Sequence, residues 1–261
     1  MNVGGIEFNS WDIVLITVVS AQSTLLAYLH SPRWKALLLN LPLPFTVAVL
    51  SVGQPVDVTN IAGFLLLFIY THSVRILNWR FGIPIIAAIV ISAAAYCALG
   101  TVLSAILPKT ATAFWMVCAI VLATAVFFNR KLSPRDEPGH RSSLPVGVKF
   151  VVIVCVITVL VVMKKHLQGF MTMFPMVGLT ACYEGRHCLW TICRQIPIVM
   201  MTMLPMVIVI RLAQPYLGYA WSLAPGWLVF LAALALITLA QSKSDVCDDP
   251  SDQSEQETAH A

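Results

Sequence analysis

Apolar residues run in nine long blocks separated by short polar breaks, and their lengths are those of a bilayer rather than of a protein core. The blocks are Trp11–Leu29, Lys35–Gly53, Asp57–Leu77, Phe81–Leu103, Ala111–Phe128, Val148–Val162, Leu167–Tyr183, Cys188–Arg211 and Leu217–Ala240. A hydrocarbon layer about 30 Å thick takes about 20 residues of helix. Each block therefore predicts a crossing. Val148–Val162 is the shortest, and it relies on flanking lysines reaching outward. The pattern predicts an all-α polytopic transmembrane bundle with lipid as its solvent.

Proline interrupts this pattern at four places. Pro42-Leu43-Pro44 falls in the second block, Pro175 in the seventh, and Pro197 and Pro205 in the eighth. A proline inside a helix removes one hydrogen bond and clashes with the preceding turn. The freed carbonyls then need neighbours, water or a solute. Ordinary kinks and breaks that line a cavity both fit. The breaks also suggest an internal repeat. In each half a span is followed by a basic turn, a Pro-broken span, a short polar turn and two further spans. Val74-Arg75-Ile76 in the first half reads like Ile210-Arg211-Leu212 in the second. The expected division is 1–110 and 148–240 as two repeats, joined by a linking span and a basic loop over 111–147. An odd linking span makes the repeats inverted, the plan of many secondary transporters.

Composition narrows the picture further. Charged residues are 11% of the chain and mean hydropathy is +0.84, which leaves no stretch for a soluble domain. Met1–Ser10 has no basic residue, so the first span is expected to be retained rather than cleaved as a signal peptide. The tail, 241–261, carries six acids against Lys243 and reads as a solvated, disordered end. With the N-terminus outside, the inner face would hold Arg33, Lys35, Arg75, Arg80, Arg130, Lys131, Arg135, Arg141, Lys149, Arg186 and Lys243. Only Lys109, Lys164, Lys165 and Arg211 would lie outside, a bias that points to a cytoplasmic tail. Lys164-Lys165 is the clear violation. The basic residues form no aromatic-interleaved patch, so nucleic acid is not an expected partner.

Candidate chemistry is sparse. Asp57 and Asn60 follow the first broken block, and Glu184 and Arg186 follow the second, with Arg194 deeper in its span. Helix capping accounts for Asp57 as readily as solute binding does. Arg194 either snorkels or needs a partner or cavity, since an ionisable group inside a span is costly. These five residues are the candidate substrate-binding set. Eight of the ten methionines fall between Met163 and Met206, and the phrase Met171-Thr172-Met173-Phe174-Pro175-Met176 is echoed by Met201-Thr202-Met203-Leu204-Pro205-Met206. With Cys182, His187, Cys188 and Cys193 nearby they would suit a soft ion, although packing of irregular contacts explains methionine as well. No metal or cofactor is assigned. The zinc-protease, serine-hydrolase and phosphate-loop signatures are all missing, so no enzyme activity is expected.

The run from Met173-Phe174-Pro175-Met176 through Cys182-Tyr183-Glu184-Gly185 resembles the central segment of the GlpM-like small inner-membrane proteins of bacteria. Those are four-helix units in which a Phe-Pro step precedes an apolar run and a polar, Gly-containing turn, and Pro44–Asn60 echoes the same plan. This chain is longer and has no Thr after the Phe-Pro pair. The resemblance implies a multi-pass bacterial inner-membrane protein built from two such units, and it transfers no catalytic residue. The functional expectation is a secondary transporter or permease for a small solute, with or without a coupling ion. A non-transporting scaffold or assembly factor is the alternative, and formation of a homo-oligomer is left open.

Overall fold

The computed structural model describes residues 2–3, 6–7, 9–28, 41–133 and 146–247. Apart from a two-residue antiparallel pairing of Asn2–Val3 with Ile6–Glu7, the described elements are helices. They are α1 (Ser10–Tyr28), α2 (Leu43–Val52), α3 (Val58–Trp79), α4 (Ile85–Ile106), α5 (Ala111–Lys131), α6 (Val146–Leu167), α7 (Gly169–Thr172), α8 (Met176–Glu184), α9 (Leu189–Trp221) and α10 (Leu223–Cys247). Four of them, α3, α4, α5 and α9, are long and apolar enough to cross a membrane. Apolar residues such as Trp79, Ile106, Met116 and Leu228 face outward on long helices, as lipid-facing positions do. The chain is an all-helical membrane protein.

Local chemistry sets most helix starts. Asp57 caps α3, its carboxylate accepting from the Thr59 N–H at 2.9 Å while Asn60 Oδ1 accepts from the Asp57 N–H at 2.8 Å. Thr110 caps α5. Pro84 precedes α4, so that helix begins at Ile85 rather than at Phe81. Pro42 and Pro44 open the ten-residue α2, and Pro175 opens the nine-residue α8. Proline suits a helix start because the first N–H groups have no partner within the helix anyway.

Three expectations are corrected. Pro197 and Pro205 do not interrupt their span: α9 runs through them, and its one residue with non-helical φ/ψ is Gly218. Neighbouring helices hold α9, and buried helices accommodate a lost bond when packing supplies the remainder. The block Val148–Val162 is part of a longer helix, since α6 runs from Val146 to Leu167. The acidic tail does not begin at Gln241 as irregular chain, since α10 continues to Cys247; residues 248–261 lie outside the described ones. So do residues 29–40, which hold the start of the second block, and most of the basic loop, 134–145.

The polar contacts sort the helix ends into two groups. One group joins the starts of α1 and α3 with the ends of α2, α4 and α6, through Asp12–Lys164, Asn9–Ser51 and Asp57–Lys109. The other joins the ends of α3 and α5 with the start of α9, through Arg75–Trp190 and Trp190–Ser133. They are called here the carboxylate end and the arginine end. Gly63 and Gly100 let the irregular segment between α6 and α8 pass between α3 and α4. A Cβ at Gly63 would sit 2.6 Å from Met173 Cβ, and one at Gly100 would lie 3.2 Å from Leu167.

Candidate functional site

At the carboxylate end the sequence of helix starts concentrates acids and their partners. Asp12, in the first turn of α1, is fully buried, and Lys164 Nζ lies 2.6 Å from its Oδ2. The same carboxylate accepts from the Asn9 N–H at 2.8 Å and from the Ser51 hydroxyl. The Lys164 that breaks the charge bias of the loops is thus a buried counter-ion. Asp57 pairs more loosely with Lys109 at 3.4 Å, and Lys109 also donates to Gln168 Oε1 at 2.6 Å. Arg211 donates to the Val56 carbonyl at 2.9 Å, and Gln214 exchanges two bonds with the Val56 backbone.

Beside Asp57 the chain breaks between α6 and α8. Gln168 takes φ +49°, a left-handed conformation uncommon outside glycine, and turns the backbone inward. The carbonyls of the irregular stretch need donors because its residues are buried. Tyr96 hydroxyl donates to the Phe170 carbonyl at 2.9 Å, and Thr172 hydroxyl to the Gly169 carbonyl at 2.6 Å. Asn60 Nδ2 donates to Thr172 Oγ1 at 2.9 Å. Asn60 is therefore a clamp between α3 and α7, with both ends of its amide engaged. A small cleft lined by Val49, Val52, Gln54, Pro55, Asp57, Asn60, Gly169 and Thr172 opens here. It has room for about one water molecule.

Glu184, Arg186 and Arg194 do not join this group. Cys193 Sγ reaches the Thr71 carbonyl at 3.5 Å, which registers the start of α9 against the far part of α3. Thr71 stands fourteen residues beyond Asp57, so about 20 Å separates the two levels at 1.5 Å per residue. The five candidate residues thus fall into two sets, Asp57 with Asn60 and Glu184 with Arg186 and Arg194. They form no single site. Glu184 is buried and has contacts of its own, and Arg186 Nε lies 3.2 Å from His187 Nε2.

The arginine end is built differently. Arg75 lies over the Trp190 ring at 4.4 Å and the Trp79 ring at 5.7 Å. His72 stacks on Phe68 at 4.0 Å and approaches Phe128 at 6.2 Å. Arg194 Nε and His72 Nε2 are buried without a hydrogen-bond partner among the described residues. The methionines pack in two separate cores, Met171 and Met176 in one and Met173, Met200, Met203 and Met206 in the other. This divides the two Met phrases as ligand sets. Among the described residues no cluster of three or more His, Cys, Asp or Glu could hold a metal.

Asp12, Lys164, Tyr96 and Thr172 were missed as functional candidates. The charge-bias violation at Lys164 was the available signal for the first pair. Comparison with protein-family models, with curated proteins and with solved structures returns no match.

Proposed function

We propose that this protein is a permease-like transporter of a small solute, with nine spans and two units of opposite orientation linked through α5. The reading also takes up the resemblance to GlpM-like units and its implication of a bacterial inner membrane with the tail inside. One observation carries it. Two Pro-initiated half-helices run in opposite senses: α2 ends at Ser51 beside Asp12, at the carboxylate end, whereas α8 ends near the turn that leads into α9, at the arginine end. Interrupted helices at corresponding places in two halves are the best pointer to a transport site.

Of the helices that touch both half-helices, α1 packs on them most extensively. In its middle Ser20 and Ser23 are fully buried, and their hydroxyls have no partner among the described residues. Buried polar groups nearly always find a partner, so free hydroxyls beside two helix breaks favour a solute path. The path would lie at the breaks rather than at the five charged or polar residues that the sequence singled out.

The competing reading, a non-transporting scaffold, is favoured by the internal partners that engage Asp57 and Asn60. Thiol accessibility separates the two. In a chain lacking its native cysteines, Ser20→Cys and Ser23→Cys are expected to react with a membrane-impermeant thiol reagent from one face of the bilayer. Inserted protein that reacts from neither face would leave the scaffold standing. Reporters fused at Met1 and after Ala261 are expected on opposite faces, and a shared face would refute nine spans.

A further inference from the structure

We propose that the crevice between α3, α5 and α9 at the arginine end is a binding site for an oxyanion, held by Arg194 with His72 and Arg75. The three helices pack on one another in pairs. Trp190 and Arg194 are four residues apart on α9 and share a face, as do His72 and Arg75, three apart on α3. The Arg75–Trp190 stack and the Cys193–Thr71 contact bring those faces together. The Trp190 N–H donates to the Ser133 carbonyl at 2.9 Å, and Phe128 stands near His72, so the end of α5 closes the third side.

Positive charge gathers there, and among the described residues no carboxylate is paired with Arg194, His72 or Arg75. Arg194 belongs to no ion pair among the described residues, and its Nε is buried without a partner. The nearby described carboxylate, Glu184, is in no such pair with it and is engaged elsewhere. His72 Nδ1 meets the Phe68 carbonyl at 3.0 Å, so Nδ1 carries the proton. The unpartnered Nε2 then becomes a second donor whenever the ring is cationic. Arg130 and Lys131 extend the charge at the mouth, from the last turn of α5.

Arg194, part-buried in its span and with no partner for its buried Nε among the described residues, calls for one. Its planar fork matches the two oxygens of a phosphate or carboxylate, and the partly buried rings of Trp190, Phe68 and Phe128 stand beside it. Arg194 stands about 9 Å along α9 from its N-cap. A lipid phosphate could reach that depth, and so could a free phosphate. The shared chemistry is a phosphate-like oxyanion. This inference does not depend on the transport reading, and its test involves no transport.

The purified full chain in neutral detergent is heated with increasing inorganic phosphate, against chloride at equal ionic strength. In parallel it is heated with phosphatidylglycerol, against phosphatidylcholine. A rise in midpoint with phosphate identifies a free anion, and a rise only with phosphatidylglycerol identifies a lipid headgroup. In either case Arg194→Gln is expected to weaken the apparent affinity at least tenfold, while Arg80→Gln, outside the crevice, keeps the full response. Should Arg194→Gln fail to accumulate, Arg75→Gln is expected to weaken the same response. No rise in either arm overturns the site. An equal loss from Arg80→Gln also overturns it, because it would mark diffuse surface charge.

Discussion

The two ends of this bundle treat charge in opposite ways. At the carboxylate end each of three cations has a defined internal role: Lys164 on buried Asp12, Lys109 on Asp57, and Arg211 on the Val56 carbonyl. At the arginine end Arg75 rests on indole faces, and Arg194 is left with a buried, unpartnered nitrogen. The contrast explains how a few basic residues coexist with the loop-charge rule. Lys164, held by the buried Asp12, is a structural tie and says little about orientation. One end is built to hold the chain together, and the other is left able to bind.

The sharpest way to break this comparison is to remove one member of the buried pair. Asp12 is fully buried and Lys164 nearly so, with side-chain exposures of 0% and 11%. Deleting one partner of such a pair typically costs about 3–5 kcal/mol, because the other charge stays buried. Asp12→Ala should therefore lower the unfolding midpoint in detergent sharply. Adding Lys164→Met should recover much of the loss, since the two changes share one interaction. Wild-type stability for Asp12→Ala alone would mean that the carboxylate end is not a tie.

A second, smaller effect concerns the segment that this end holds. Gly63 faces Met173 so closely that a methyl group would meet Met173 Cβ, an atom fixed to the backbone, at 2.6 Å. Overpacking of this kind costs about 1–3 kcal/mol. Gly63→Ala should destabilise the chain by that amount and loosen the break between α6 and α8, read as faster proteolysis within 167–175. Full tolerance would show that the irregular segment is not clamped between α3 and α4.

Asp57 and Lys109 sharpen the comparison within the carboxylate end. Lys109 is 46% exposed and Asp57 18%, so solvent screens their attraction and the pair contributes about 0–1 kcal/mol. The cap that Asp57 makes is worth about 1 kcal/mol. Asp57→Ala should therefore cost more than Lys109→Met in the same unfolding assay, and the reverse order would make the ion pair, not the cap, the role of Asp57.

Much of this was legible in the sequence and some was not, for physical reasons. The α3 start could be read from Asp57 because capping is local chemistry. The α8 start could be read from Pro175 because proline fixes its own backbone. The length of α6 was hidden, since a lysine counts against a span until its buried carboxylate is known, and Asp12 lies in a different helix, remote in sequence. Pro197 and Pro205 misled because a proline break depends on whether neighbours hold the helix. The candidate site misled most. Asp57 and Glu184 occupy similar places in two similar stretches, but opposite chain directions carry them to opposite ends.

The smallest effect is the one that tests the asymmetry most directly. If Arg194 were a structural tie like Lys164, replacing it with a neutral side chain of similar length would leave a partner stranded and destabilise the fold. No ion pair to Arg194 is present among the described residues, and removal of a part-buried charge that has no partner relieves a desolvation penalty rather than creating one. In the absence of added anion, Arg194→Met should therefore unfold at the wild-type midpoint or slightly above it, while Asp12→Ala in the same detergent falls well below. A loss from Arg194→Met comparable to that from Asp12→Ala would show that both ends are ties. The distinction between a holding end and a binding end would then collapse.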